Sequence, residues 1–303
     1  MELRKHSRWL SLEQGDLLPV LLLIPIILVV LIVMILPLIF GGYVSLFDYR
    51  AGVSVTHDDF AGLQNYVNLL GDTVFWQSLR NTMLFAVLAT AGDIVIGTLM
   101  AVLLLRVHKK LAAFVRAVYL VPLLVSPIII GLIWSFMFDP GSGPVYWALS
   151  WFNMGIKQFP GVTSSSTALI SVVIAHWWQV VPFVMLVVTA GLVSIPNELY
   201  EAAYLDGAGE FRKFFSISLP SLKHVYMVIL VIAGVDTVKV FDIILSLTGG
   251  GPANSTISLS MHAYNQAFRS NNMGYAMVIS IATMIVTFIV FGIPFIRFSV
   301  KKD

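Results

Sequence analysis

The sequence has no cysteine and few charged residues. Without cysteine, disulfide bonds, iron–sulfur clusters and thiol catalysis are excluded. Only 11% of the 303 residues are charged and 58% are hydrophobic, so the apolar surface exceeds what a soluble domain can bury and the charges cannot cover its outside. This composition predicts that a lipid bilayer is the main solvent. The formal net charge of +2 gives no reason to expect a nucleic-acid partner.

The sequence also lacks the short motifs of nucleotide-binding and hydrolytic sites. It contains no GxxxxGK[ST] loop, no HExxH and no GxSxG, and its six histidines are scattered along the chain. The glycine run at 249–251 is not followed by Lys and Ser or Thr, so it indicates a turn. We therefore expect no catalytic residue, no metal site and no cofactor in this chain.

Six charge-poor stretches are long enough to cross a membrane, which takes about 20 predominantly apolar residues. The fold predicted is an all-α membrane protein with six transmembrane helices, and residues 1–303 are expected to form a single transmembrane domain. The six predicted spans are residues 18–46, 80–105, 114–138, 168–193, 225–247 and 273–297.

Basic residues predict the orientation, because Lys and Arg favour the cytoplasmic side of a membrane. The other side holds only Arg50, Arg80, Lys157 and Arg269. Both termini and the loops near 106–116 and 194–224 are therefore predicted to be cytoplasmic, in agreement with an even number of spans. The basic residues on that side are Arg4, Lys5, Arg8, Arg106, Lys109, Lys110, Arg116, Arg212, Lys213, Lys223, Arg297, Lys301 and Lys302.

The cytoplasmic loop at 196–223 lies between the fourth and fifth spans. Ser194 can cap a helix that has Pro196 in its first turn and acidic side chains near its positive end. The run at 206–209 indicates a turn after this helix, because glycine adopts positive φ without strain. A second, amphipathic helix is predicted from the apolar residues Phe211, Phe214, Phe215 and Ile217.

Small and acidic side chains occur together in this loop. Ala202, Ala203 and Gly207 would let the surface of another protein approach closely, and Glu201 and Asp206 add charges at the rim. The combination favours a docking site for a partner protein. An ordinary turn between two helices explains the same residues, so spacing and charge alone leave both interpretations open.

A longer pattern runs through the same loop. The triplet at 201–203, Gly207 and then Ile217, Leu219 and Pro220 reproduce the spacing EAA-xxx-G-(nine residues)-I-x-LP. This pattern resembles the signature of the membrane subunits of binding-protein-dependent ABC importers. Further segments are similar to the sugar permeases of the maltose and glycerol-phosphate type: 60–66, Asn81-Thr82, Phe241-Asp242 and 247–252. That family has two permease types, and the segment 247–252 resembles the first of them.

The resemblance implies a function and a set of partners. In the family this loop forms a coupling helix in a cleft of a separate ATPase subunit, which assigns docking to Glu201, Ala202, Ala203 and Gly207, with Asp206 beside them. The implied partners are a second homologous permease subunit, two ATPase subunits that hold ATP and Mg, and an extracytoplasmic substrate-binding protein. A mono- or oligosaccharide would cross a prokaryotic plasma membrane by ATP-driven alternating access.

Charged residues inside the fifth predicted span are candidates for the substrate pathway, because charges at membrane depth are costly. Asp236, Lys239 and Asp242 recur every three residues, which predicts that they share one face of a continuous helix. Asp236 and Lys239 can neutralise each other, and Asp242 can accept hydrogen bonds from sugar hydroxyls. An ion pair that only holds the helix bundle together is an equally good interpretation of the first two.

The fourth span carries a second pathway candidate at its centre. His176, Trp177, Trp178 and Gln179 combine aromatic planes with hydrogen-bonding groups, which suits the C–H faces and hydroxyls of sugars. An interfacial aromatic belt is the alternative. Asp93, in the second span, is expected to face a partner helix or water rather than substrate.

Two other functions remain open. An ion-coupled secondary transporter would use Asp93, Asp236 and Lys239 as a relay. An ABC permease could instead carry phosphate, sulfate or a polyamine, but an anion path should carry unpaired basic residues in the spans, and Lys239 stands beside two acids.

Overall fold

The structure is a computed structural model that describes residues 17–53 and 59–300, with side chains for 21–53 and 59–297. Arg4, Lys5, Arg8, Lys301 and Lys302, which contribute to the predicted orientation, lie outside the described residues. Every regular element in the described residues is helical. Phe47 and Phe60 form an isolated antiparallel bridge.

The helices are named here in chain order. They are α1 (17–44), α2 (Gln64–Gly71), α3 (Thr73–Arg106), α4 (Lys109–Leu124), α5 (Pro127–Met137), α6 (Pro144–Ser150), α7 (Ala168–Val193), α8 (Asn197–Leu205), α9 (Glu210–Ser221), α10 (Lys223–Val238), α11 (Asp242–Leu247), α12 (259–269) and α13 (273–300).

Four of these helices, α1, α3, α7 and α13, are long and apolar enough to cross a membrane. The pairs α4–α5 and α9–α10 also qualify, but α4 and α5 meet at an angle of 104° and α9 and α10 at 60°. The described residues therefore contain four membrane-spanning helices by length and composition, and six if each bent pair is one span.

Straight helices agree with their predicted ranges. α7 has the predicted bounds 168–193, α13 covers 273–297, and α1 is within two residues of its prediction. α3 begins at residue 73 rather than 80, because Asp72 caps it by accepting a hydrogen bond from the backbone N–H of Val74 at 2.8 Å. The added turns are buried at Phe75, which packs against α12 and α13, so tertiary contacts extend α3 beyond its most apolar stretch.

The third predicted span is wrong as a single straight helix. α4 ends at Leu124 and α5 begins at Pro127, with Ser126 in an extended conformation. Proline at the first helical position forces the preceding residue away from helical geometry. The chain therefore turns sharply inside the predicted range 114–138.

The fifth predicted span, 225–247, is also broken. α10 ends at Val238 and α11 begins at Asp242. The break leaves the carbonyl of Val240 without a helical partner, and the Ser258 hydroxyl donates to it at 2.7 Å. This bond satisfies a buried acceptor that would otherwise destabilise the break.

The centre of the molecule is the pair α3 and α7, which pack along most of their length. One core cluster joins this pair to α5 and α11 and includes Phe85, Ile130, Val172 and Ile244. A second cluster joins the pair to α10 through residues such as Met185, Leu222 and Ile229. The side chains described in α1, those of residues 21–44, are by contrast mostly exposed, as expected of an apolar helix that faces lipid or another subunit.

Candidate functional site

Residues 197–209, named here the coupling tip after the role that the sequence resemblance implies, form a short helix closed by a tight turn. α8 ends at Asp206, and Gly207 adopts a φ of +76°. The N–H of Ala208 donates to the carbonyl of Ala203 at 2.9 Å, and the N–H of Gly207 donates to that of Tyr204 at 3.0 Å. These bonds satisfy the last carbonyls of the helix in the way that a glycine at positive φ allows. The local pattern therefore explains both the helix and its end.

The small and acidic side chains of the tip are mostly exposed. Glu201, Ala202, Asp206 and Gly207 are exposed, and Ala203 is half-buried. A Cβ placed on Gly207 would meet no atom within 4 Å. The tip is thus free to enter a complementary cleft on another protein.

The base of the tip is attached to the following helices. The hydroxyls of Tyr200 and Ser218 lie 2.9 Å apart within hydrogen-bonding distance, and Lys213 Nζ lies 5.3 Å from the ring centroid of Tyr204. Glu210 accepts from Lys213 at 2.9 Å. These contacts connect α8 to α9, and α9 leads directly into Leu222 and α10.

Two features of the tip differ from expectation or were missed. Ser194 does not cap α8: its hydroxyl donates to the carbonyl of Gly191, and the helix starts after Pro196 without a side-chain cap. Tyr204 and Leu205 are 71% and 84% exposed, although the resemblance drew attention only to the small and acidic residues. Their signal in the sequence was the presence of two large apolar side chains directly before a turn.

His176 and Trp177 connect α7 to α3. His176 Nε2 lies 3.0 Å from Asp93 Oδ2, and both residues are buried. Trp177 donates its indole N–H to the carbonyl of Ala89 at 3.1 Å, and a Cβ on Gly92 would overlap its ring. Asp93 therefore faces a partner helix, one of the two environments expected for it.

Trp178 and Gln179 connect α7 to the bent pair α4–α5. The Trp178 ring packs edge-on against Trp134 with centroids 6.2 Å apart. Gln179 Nε2 donates to the carbonyl of Val125, in the bend between α4 and α5, at 2.9 Å. The polar groups of this strip are thus engaged with neighbouring helices in the structure.

Asp236, Lys239 and Asp242 do not share one continuous helix face, contrary to the prediction. α10 ends at Val238, before the second of them, and residues 239–241 are not helical. Asp236 Oδ1 and Lys239 Nζ form an ion pair at 3.0 Å, with both side chains more than half exposed. Asp242 is half-buried in the first turn of α11, where its negative charge is favourable.

A cavity of ≈ 610 Å³ lies between α10, α12 and α13, with Lys239 in its wall. A stripe of hydroxyls from α13 lines it: Ser280, Thr283 and Thr287. Each hydroxyl donates to the carbonyl four residues earlier, at 2.8 to 2.9 Å. The remaining lone pairs can accept hydrogen bonds, and the spacing of this stripe was visible in the sequence.

Comparison with known proteins assigns the family. Residues 93–298 match the family described as binding-protein-dependent transport system inner membrane component. The matched range includes the coupling tip and α7, α10 and α13. The chain belongs to this family. It is therefore a membrane permease subunit, and the sequence resemblance is confirmed.

Related permeases cover most of the chain. It is 35% identical over 88% of its length to the trehalose/maltose transport system permease protein MalF of Thermococcus litoralis, covering 88% of that protein. It is 30% identical over 100% of its length to the sulfoquinovosyl glycerol transport system permease protein SmoG of Agrobacterium fabrum, covering 96% of that protein.

A solved structure shares the fold. It is the crystal structure of a bacterial ABC transporter involved in the import of the acidic polysaccharide alginate, with a TM-score of 0.79 and 23% sequence identity. The match covers 95% of this permease and 96% of that chain.

At the end of α3 opposite the coupling tip, the permease has a polar cluster around Asp72. Its Oδ2 accepts from the hydroxyl of Tyr275 at 2.7 Å and lies 2.9 Å from Nε2 of His262, so one carboxylate links the start of α3 to α12 and α13. Burial raises the pKa of Asp72, but the bonds from Tyr275, His262 and two backbone N–H groups outweigh it and hold this pKa below its ordinary value.

Proposed function

We propose that this permease is one of two membrane subunits of an ABC importer that carries a mono- or oligosaccharide into the cytoplasm. The names of the two relatives, for trehalose/maltose and for sulfoquinovosyl glycerol, support a carbohydrate cargo. The second permease subunit is a homologue, two further subunits bind ATP and Mg, and a soluble extracytoplasmic protein delivers the substrate.

The whole chain, 1–303, forms one permease domain in a prokaryotic plasma membrane. It spans the membrane six times, with each bent pair counted as one span, and both termini are cytoplasmic. The basic residues beside the tip, Arg106, Lys109, Arg212 and Lys213, support a cytoplasmic position for α8.

Coupling to ATP hydrolysis takes place at the tip. The observation that carries this assignment is an exposed helix, closed at Gly207 with open space around it, whose base is bonded to α9. Glu201, Ala202, Ala203, Asp206 and Gly207 form the surface that docks into the ATPase subunit, and Tyr204 and Leu205 add apolar contact. ATP-driven closure favours one permease state because the tip contacts the ATPase differently in each state.

The substrate pathway passes the exposed ion pair of Asp236 and Lys239, with Asp242 near its outer end. The hydroxyl stripe of α13 lies on the adjoining cavity and offers acceptors to sugar hydroxyls. Trp177, Trp178 and Gln179 contribute to this pathway from the fourth span by holding α7 in place beside it.

The same contacts weigh against the two other functions. Asp93 is bonded to His176 and Lys239 to Asp236, and no hydrogen bond among the described residues connects the two pairs into a relay. The charge of Lys239 is offset by Asp236, which argues against a path that selects anions.

Substitution of Gly207 by Trp tests the docking assignment. Gly52 is a matched control, because it also has positive φ (+85°) and a Cβ placed there would meet no atom within 4 Å. In proteoliposomes with the complete transporter, Gly207→Trp should abolish ATP-dependent uptake of maltose or trehalose and reduce copurification of the ATPase subunit. Gly52→Trp should retain the ATPase subunit. Normal copurification and uptake with Gly207→Trp would refute the assignment.

Substitution of Asp242 tests the pathway. Asp242→Ala should weaken apparent affinity for the transported sugar or slow its uptake, because a carboxylate that accepts from sugar hydroxyls is removed. Unchanged affinity and rate would remove Asp242 from the pathway. The preferred sugar itself is identified by binding of a panel of mono- and disaccharides to the cognate substrate-binding protein.

A further inference from the structure

A second cavity, distinct from the one beside Lys239, lies at the end of α3 that is closest to the coupling tip. It is a groove of ≈ 650 Å³ between α3 and α9, with Tyr226 of α10 also in its lining. Its walls are apolar except near Arg106 and Glu210. None of its residues belongs to the docking surface or to the proposed substrate pathway.

The groove separates two apolar stripes that point toward each other. The α3 stripe recurs at helical spacing over three turns: Ile94, Val95, Thr98, Leu99, Val102, Leu103 and Arg106. The α9 stripe consists of Phe211, Phe214, Phe215 and Leu219. Phe211 remains 84% exposed and Leu99 57% exposed. Two such faces normally bury each other, so the space between them suits an apolar occupant.

The inner part of the groove presents no free hydroxyl. The Thr98 and Tyr226 hydroxyls lie 3.1 Å apart and are hydrogen-bonded to each other. Their carbon atoms are what an occupant would contact. An apolar lining of this kind suits a hydrocarbon rather than a polar solute.

The end of the groove carries positive charge. Arg106 and Lys213 both pair with Glu210 at 2.9 Å, which leaves one excess positive charge in this group. Lys109 and Lys110 follow directly along the chain and are exposed. Basic groups between helices at the cytoplasmic membrane surface are suited to anionic lipid headgroups.

The length of the groove suits one acyl chain. From Ile94 to Arg106 the groove follows twelve residue steps of α3, or roughly 18 Å at ~1.5 Å per residue. This is a little more than half of the ~30 Å hydrocarbon core, and thus about one leaflet.

We propose that the groove between α3 and α9 binds a phospholipid with an anionic headgroup. One acyl chain lies between the two apolar stripes, and the phosphate lies beside Arg106. The assignment of this end to the cytoplasmic leaflet rests on the proposed orientation of the permease. The lipid would fill the space between α3 and the helix that follows the coupling tip.

Photocrosslinking of the complete wild-type transporter tests the occupant directly. The transporter is reconstituted in phosphatidylethanolamine vesicles that contain photoactivatable phosphatidylglycerol with the reactive group on its acyl chain. Labelled peptides should come from 94–106 and 211–219. Labelling spread evenly over exposed apolar residues such as those of α1, without enrichment at the groove, would overturn the proposal.

Two variants then distinguish labelling in the groove from labelling anywhere on the lipid-facing surface. Leu99→Trp fills the groove and should abolish the enriched labelling, whereas Val87→Trp, at an equally lipid-accessible position of α3 outside the groove, should leave it unchanged. Equal labelling in Leu99→Trp and Val87→Trp would contradict the proposal.

The headgroup contact has its own control. Arg106→Gln should lower the preference for phosphatidylglycerol over phosphatidylethanolamine about fivefold, since one basic side chain near an anionic surface contributes about 1 kcal/mol. Arg80→Gln, near the opposite end of α3, should not change it. If helix side chains of the second permease occupy the groove in the assembled transporter, the lipid assignment is wrong; that outcome leaves the transport function unaffected.

Discussion

The coupling tip and the contact between α3 and α7 around Asp93, His176 and Trp177, called the seam below, both contain polar and aromatic residues. The two regions differ in whether these side chains have partners within the chain. In the tip, Glu201, Asp206 and Leu205 are exposed, and their side chains make no hydrogen bond or ion pair within the described part of the chain. In the seam, Asp93, His176 and Trp177 all have partners within the chain. These side chains of the tip are therefore available to another protein, whereas those of the seam bond to each other or to the neighbouring backbone.

Because of this difference, we expect substitutions in the two regions to affect different properties of the permease. A substitution in the seam should lower the stability of the permease before it changes transport. A substitution in the tip should change coupled transport with little effect on stability. The following substitutions test this contrast in order of decreasing expected effect on unfolding.

Gly92→Leu should have the largest effect. Its side chain would overlap the Trp177 indole and force α3 away from α7, at a cost of about 3 kcal/mol or more. Gly42→Leu is the control, because Gly42 is also helical but has no atom within 4 Å of a Cβ. The measurement is the thermal unfolding midpoint of the purified transporter in detergent. Similar midpoints for both variants would show that the seam is not tightly packed.

Asp93→Ala should destabilise the permease by about 2 kcal/mol, because His176 loses its partner in a buried site. The comparison is Asp236→Ala, which breaks an exposed ion pair and should cost less than about 1 kcal/mol. Asp236→Ala should instead alter uptake, since this residue is assigned to the pathway. Equal destabilisation by the two substitutions would contradict the distinction between a structural and a pathway pair.

Asp72→Asn should cost about 1 kcal/mol near neutral pH, because a neutral acceptor binds Tyr275 and His262 less strongly than a carboxylate. The pKa of Asp72 is held below its ordinary value, so its contribution to stability is complete above the ordinary carboxyl pKa of about 3.9. It is lost as the pH falls through the lower pKa of the folded state. Wild type should therefore lose more stability than Asp72→Asn when the pH falls below about 4, as measured by unfolding midpoints.

Leu205→Ser should change stability least, within about 0.5 kcal/mol, because the side chain is 84% exposed. It should nevertheless reduce ATP-coupled uptake, since an apolar contact with the ATPase is lost. Leu70→Ser, at an exposed position of α2, is the control. A lower unfolding midpoint with normal uptake would place Leu205 in the packing of the permease rather than in docking.

The bounds of a helix were predictable where the local sequence alone determines them. The bounds of α7 agree because a mostly apolar run without Asp, Glu, Lys or Arg ends in Ser194 and Pro196. The bend at Ser126 was missed although Pro127 signals it, because hydropathy averages over a window and carries no direction. The break after Val238 carries a weaker signal, since its freed carbonyl is satisfied by Ser258, eighteen residues later.

The coupling tip was predictable because it depends on local pattern. Its turn needs only glycine at 207 and carbonyls within the same helix, and its exposure follows from charge. The roles of His176 and Trp177 were less accessible, since their partners lie more than eighty residues away in sequence. The sequence does not distinguish an aromatic residue that binds a sugar from one that packs between helices, because the residue type and its position in the span are the same in both cases.

Residue composition and short-range spacing establish that this chain is a helical membrane protein and that a turn lies at Gly207, since desolvation of apolar side chains and the φ preference of glycine act residue by residue. Packing determines where α10 stops, which carboxylate bonds to His176, and that a groove remains between α3 and α9. Those outcomes depend on contacts between distant segments, whose free energy exists only after the helices have assembled.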